Sequence, residues 1–206
     1  MSTDEMPLGR GRRRSTDIDV KALAAARELL TEQGWEATTM VAIADRAGVG
    51  KPALYRRWPS RAHLVFEAVF GWTAPTQEMS AAAGVGDWVR QSCSYTAELF
   101  QRPDVIAAAP GLLGQMRTDP ELGQALWGSF GATGAELLSR VMRAQRPEVD
   151  QQDAQDRANA VMFMIIGANM LARQLLPGEQ AEAVIKYLPE LLAGPGESPG
   201  AAQPSD

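Results

Sequence analysis

One cysteine and one histidine stand in 206 residues, and each scarcity closes off a chemistry. Cys93 has no second thiol with which to form an intrachain disulfide, which fits a reducing, cytoplasmic setting. His63 has no second histidine or cysteine pair with which to complete a metal site. No nucleophile with a base and no paired carboxylates stand out, so neither a catalytic residue nor a cofactor is expected, and the chain is read as a non-enzyme. Long apolar runs are also missing. The longest, "AVMFMIIGA" from Ala160 to Ala168, is far short of the roughly 20 residues a membrane-spanning helix needs, and Asn169 follows it at once. The opening "MSTDEMPLGRGRRRSTD" has arginines but no apolar stretch behind them, so neither a secretory leader nor a membrane partner is expected.

What is present is a hydrophobic content of 45%, enough for a core in a chain of this length. Net charge is -5, unevenly spread: residues 1–72 carry 11 basic against 9 acidic side chains, and residues 73–206 carry 9 against 16. Between Met40 and Arg61, five basic residues (Arg46, Lys51, Arg56, Arg57 and Arg61) face only Asp45, a local patch suited to phosphate in an otherwise acidic protein.

Apolar residues recur at helical spacing, and alternation typical of strands is absent, so the fold class is all-α. Residues 1–16 are polar and basic and are expected to be a disordered arm. A first helix is expected from Asp17, with Leu23, Ala26 and Leu30 on one face and Gly34 at its left-handed end. Thr39 caps a second, whose Met40, Ile43, Ala44 and Ala47 point inward and which Gly48 stops. Pro52 is tolerated in the first turn of a third, and Ser60 caps a fourth. Longer helices are expected near 87–101, 104–116, 120–145, 152–175 and 179–192. The Pro/Gly/Ser-rich end, 194–206, reads as a disordered tail.

Two short helices joined by a glycine turn, the second with a polar outer face, make a helix-turn-helix. Such a second helix fits the major groove of double-stranded DNA, with its amino-terminal residues Lys51, Pro52 and Ala53 nearest the bases. Ala53 suits a thymine methyl, Arg56 or Arg57 a guanine or a phosphate, and Tyr55 the backbone. Thr38, Thr39 and Arg61 are placed for phosphate. Arg12, Arg13 and Arg14 suit a neighbouring minor groove, or form only a solubilising tail.

At these residues the chain resembles the tetracycline-repressor (TetR) family of bacterial transcription regulators. The resemblance runs from Val20 to Val69 through Gly34, the Thr38–Thr39 pair, "IADRAGV" and "LYRRWPSR". Gly50 departs from the serine the family often has there, and Arg61 from its usual lysine. The resemblance implies a three-helix DNA-binding domain over 17–72, a larger helical ligand-binding and dimerisation domain over 73–193, a homodimer, and repression at a near-palindromic operator relieved by a small molecule. The competing reading is a helical small-molecule-binding module without specific operator recognition.

Aromatic and flexible apolar side chains of the second domain are candidates for an effector pocket: Trp88, Tyr95, Phe100, Met116, Trp127, Phe130, Met162, Phe163 and Asn169. With no buried basic residue among them, they favour an apolar or cationic ligand over an anion. The segment Val161–Ile166 is apolar all round its helix and needs cover on more than one side. Met164, Ile165, Gly167, Ala168 and Ala172, with Val184, Ile185, Leu188 and Leu191 of "EAVIKYLPELL", would form an intersubunit four-helix bundle. The alternative is an ordinary intrachain core.

Overall fold

The computed structural model describes residues 10–71 and 82–193, which contain ten α-helices and no strand. The first, α1 (Arg10–Ala37), begins seven residues before the expected Asp17, so the part of the expected arm from Arg10 to Thr16 is helical. No glycine or proline lies between Arg12 and Gln33 to interrupt it. Gly34 does, at φ 76 and ψ -176, a region open essentially to glycine alone. After it the chain turns into α2 (Met40–Ala47), where the Thr39 hydroxyl accepts from the Ala42 N–H at 3.1 Å and Gly48 closes the helix at φ 64. Next come α3 (Lys51–Tyr55), with Leu54 buried, and α4 (Arg61–Phe70), whose Ser60 cap accepts from the His63 N–H. Ala22, Ala26, Leu29, Ile43, Leu54, Trp58 and Leu64 are among the residues of a common core under these four helices.

The remaining helices are α5 (Val85–Gln101), α6 (Pro103–Met116), α7 (Pro120–Leu126), α8 (Thr133–Gln145), α9 (Gln151–Leu175) and α10 (Gly178–Ala193). Each boundary falls within two residues of its expected place. The expected single helix 120–145 is continuous but contains a π-helical turn, Trp127–Ala132, between α7 and α8. Pro110 sits inside α6 and has no N–H for the carbonyl of Ile106; the Gln174 side chain of α9 donates to that oxygen instead, at 2.9 Å. One core cluster binds Trp88, Val89 and Cys93 of α5 to Leu138 of α8 and to Met162 and Ile165 of α9.

Another cluster joins the two halves of the chain. Leu30 of α1 and Val65, Phe66, Val69 and Phe70 of α4 pack on Leu99, Phe100, Val105, Leu112 and Leu122 of α5, α6 and α7. At the edge of this contact the Trp35 indole lies flat on α6: a Cβ added to Gly111 would stand 2.0 Å from the ring. A glycine is required there by close approach, and the helix-turn-helix is thereby seated on the helices behind it.

Candidate nucleic-acid interface and effector cavity

The outer surface of the helix-turn-helix is narrower than its sequence implies. Lys51, Pro52, Arg56 and Tyr55 are exposed, Tyr55 by 55%, and Thr39 stands beside them while also capping α2. Ala53 is half-buried. The other expected contacts are occupied within the protein. Thr38 is fully buried and its hydroxyl donates to the Gly34 carbonyl at 2.7 Å, so it is a turn residue and is closed to phosphate. The Arg57 Nε donates to the Asp19 carboxylate of α1, and its Nη1 to the Ala53 carbonyl at 3.0 Å, which makes it a brace for α3. The Arg61 guanidinium lies 4.2 Å over the Trp35 ring and donates to the Trp35 carbonyl at 3.1 Å. It holds Trp35 on α6 instead of facing outward. Arg46 pairs with Glu28 and Glu32 at 3.3 and 2.8 Å; this hydrogen bonding holds the Glu32 carboxyl below its ordinary range and raises the Arg46 guanidinium. Of the five basic residues from Met40 to Arg61, Lys51 and Arg56 are left as the outward charges. The side chains of Arg12, Arg13 and Arg14 lie outside the described residues.

Behind α4 lies an apolar cavity of about 180 Å³. Phe70 of α4, Phe100 of α5, Ala109, Leu112, Leu113 and Met116 of α6, Leu126, Trp127 and Gly131 around the π-helical turn, and Phe163, Ile166, Gly167 and Met170 of α9 line it. Four expected residues therefore stand in its wall: Phe100, Met116, Trp127 and Phe163. Trp88 and Met162 are instead fully packed in the core between α5, α8 and α9. Tyr95 is half-buried elsewhere on α5, and Asn169 is buried with its Nδ2 donating to the Ile165 carbonyl at 2.8 Å. Phe130 lies outside the described side chains. The residues missed, Phe70, Leu112 and Gly167 above all, are ordinary core or small residues whose sequence carries no pocket signal.

Cys93 is buried without a partner thiol, and desolvation pushes its pKa up to about 12. His63 shares a hydrogen bond with Ser60 at 2.9 Å.

On α9 and α10 a continuous outer face carries Phe163, Met164, Leu171, Leu175, Val184, Tyr187 and Leu191, between 46% and 77% exposed. Of the residues expected to meet a second subunit, Met164, Val184 and Leu191 are exposed on this face, and Gly167, Ala168 and Leu188 are half-buried. Ile165, Ala172 and Ile185 are not: they are buried within the subunit, the last two packing with Ala181 where α10 lies on α9. Among the described residues, no helix is long and apolar enough to cross a membrane.

Residues 22–68 match the sequence model of the bacterial regulatory proteins of the tetR family. An HTH-type transcriptional regulator of Bacillus subtilis (strain 168), YdeS, is 37% identical over 63 residues, which is 31% of this chain and 32% of that one. A regulator of Mycobacterium tuberculosis (strain ATCC 25618 / H37Rv) is 42% identical over 50 residues, 24% of this chain and 25% of its own. The chain thus matches only a quarter to a third of the length of these relatives. Solved structures extend the likeness of fold. A TetR regulator from Rhodococcus sp. RHA1 superposes with a TM-score of 0.57 at 20% identity, covering 87% of this chain and 97% of that one. NalD of Pseudomonas aeruginosa, the secondary repressor of the MexAB-OprM multidrug efflux pump, gives 0.54 at 20% identity, covering 84% and 95%. Residues 22–68 are therefore the helix-turn-helix domain of the tetR family, carried on a chain with the all-helical fold of TetR regulators.

Proposed function

We propose that the protein is a homodimeric, effector-responsive transcription regulator of the cytoplasm, most simply a repressor of a near-palindromic operator. Its chemistry is binding, not catalysis. Residues 17–72 would hold the operator and residues 73–193 the effector and the second subunit. The observation that carries this reading is the outward set Lys51, Pro52, Tyr55 and Arg56 on α3, seated on the α1–α4 core. Thr39 stands beside it for a phosphate. The helix dimensions fit the major groove, and two copies on one dimer would read half-sites about one DNA turn apart.

The cavity supplies the switch. Phe70, the last residue of α4, is part of its wall, and Leu112 belongs both to the wall and to the cluster that seats α4. A ligand that fills the cavity would displace α4 and α6 together and change the separation of the two α3 helices. Differential affinity of the ligand for the two shapes would then release the DNA.

The test is selection of bound genomic fragments followed by footprinting at low and moderate salt. A protected near-palindrome is expected, and affinity should fall with salt as phosphate-bound counterions are released. Tyr55→Phe and Arg56→Ala should each weaken binding about tenfold, the order of one lost direct contact, with the dimer still folded. Diffuse binding without a protected site, or unchanged operator affinity in both variants, would favour a ligand-binding module without operator recognition.

A further inference from the structure

The cavity between α4, α6 and α9 is specific about what it can hold. Its walls are carbon and thioether sulfur, with no charged side chain among them. Its volume is about 180 Å³, and it opens outward where the lining residues Leu113 and Phe163 are exposed; an enclosed apolar cavity of roughly 150 Å³ accommodates benzene, and drug-sized pockets begin near about 300 Å³. One wall contains a stacked aromatic pair. The Trp127 and Phe163 rings lie 4.3 Å apart and 5° from parallel. Trp127 is the first residue of the π-helical turn, and Gly131 makes room for its ring, since a Cβ on it would stand 2.2 Å from the indole.

We infer that the effector is an uncharged, flat molecule of one or two aromatic rings, held by this wall and by Leu112, Leu113 and Met170. The inference rests on reading the cavity as the effector site. An anion would be desolvated with no donor to meet it. A cation would find no carboxylate in the lining and would give up its water for ring faces alone, of which one Trp127 face is already covered by Phe163. Of the two ligand classes left open by the sequence, apolar and cationic, this lining favours the apolar one. Phe163 is also 63% exposed on the outer face of α9, so the ligand wall and the face assigned to the second subunit share one side chain.

The experiment uses the full chain and three probes of one ring system: naphthalene, 1-naphthoate and 1-naphthylmethylammonium, titrated by calorimetry with melting temperature as a second readout. Naphthalene should bind once per subunit, and both charged probes at least tenfold more weakly. Two filling variants on opposite walls separate the cavity from other surfaces: Leu113→Trp on α6, at a position 40% exposed, and Gly167→Leu on α9, where an added Cβ meets nothing within 4 Å. Each should weaken naphthalene at least tenfold with helicity retained. Equal binding of a charged probe, absence of naphthalene binding, or binding that survives both variants overturns the inference. A footprint without naphthalene binding sinks this inference alone; naphthalene binding without a footprint sinks the regulator reading and leaves the cavity chemistry standing.

Discussion

Arg46, Arg56, Arg57 and Arg61 carry the same formal charge and do different work, because each meets a different neighbour. Arg56 points outward, and its loss should reduce the salt dependence of DNA binding by about one counterion. Arg57 is half-buried against Asp19, so Arg57→Ala should cost about 1–2 kcal/mol of stability, read as a lower urea midpoint, and should affect DNA only as far as α3 loosens. None of this is visible in "IADRAGV" or "LYRRWPSR". Asp19 lies 38 residues away in sequence, Glu28 and Glu32 lie 18 and 14 residues before Arg46, and Trp35 lies 26 before Arg61, so folding alone brings them together. Cys93 gives a pH signature. The folded thiol keeps its proton up to about 12, while an unfolded thiol loses it from about 9.0. Above that lower value the unfolded state binds fewer protons, so stability should fall with rising pH between 9.0 and about 12, and less so in Cys93→Ala. Thermal melts from pH 8 to 11 check the sign, and at pH 8 the native thiol should resist a disulfide reagent that labels it after denaturation.

At the scale of the element, local chemistry was legible and tertiary chemistry was not. Thr39, Gly48 and Ser60 act as caps or stops because the sequence signals of helix ends are local; Gly34 breaks α1 at the expected position, but as a kink at φ 76 and ψ -176 in place of a left-handed cap. The π-helical turn was not legible: "WGSFGA" has no marker that separates it from ordinary helix, and its effect appears only where Trp127 meets Phe163. Gly50 is a testable gap in the local pattern. Its φ of -71 and ψ of 134 suit any residue, and an added Cβ would meet only Pro52 Cδ at 3.8 Å. Gly50→Ser should therefore stabilise the fold by about 0.5–1 kcal/mol, through a capped α3 and a less flexible unfolded chain. A melting temperature that falls would show that Gly50 serves something other than the α3 cap. Gly111 is the opposite case. Gly111→Ala places a methyl inside the space of the Trp35 ring, so Trp35 must leave α6, at a cost of about 1–3 kcal/mol, with a red shift in tryptophan emission.

For the whole molecule, the decisive surface is the apolar face of α9 and α10. Leu171, Leu175 and Leu191 are exposed by 50, 73 and 77%, large apolar side chains left to water on two packed helices. The sequence reading placed Ile165, Ala172 and Ile185 on a face for a second subunit, but they are buried within their own, because a helix apolar all round does not say which side meets its own subunit. The face follows once α10 is laid across α9. Leu171 then becomes the position at which the assembly is tested, since it is on the outer face and its replacement opens no internal cavity. Leu171→Glu should leave the melting curve of a folded helical chain but shift sedimentation from dimer to monomer. A regulator that binds two half-sites through one rigid dimer gains effective concentration for the second contact, worth about 10²–10⁴ in affinity. The monomeric variant should accordingly lose at least about a hundredfold in operator affinity while its α3 surface is untouched. If it sediments as a dimer, another face joins the subunits; if it is monomeric and binds DNA undiminished, each copy reads its site alone and cavity-driven changes in half-site spacing cannot be the switch.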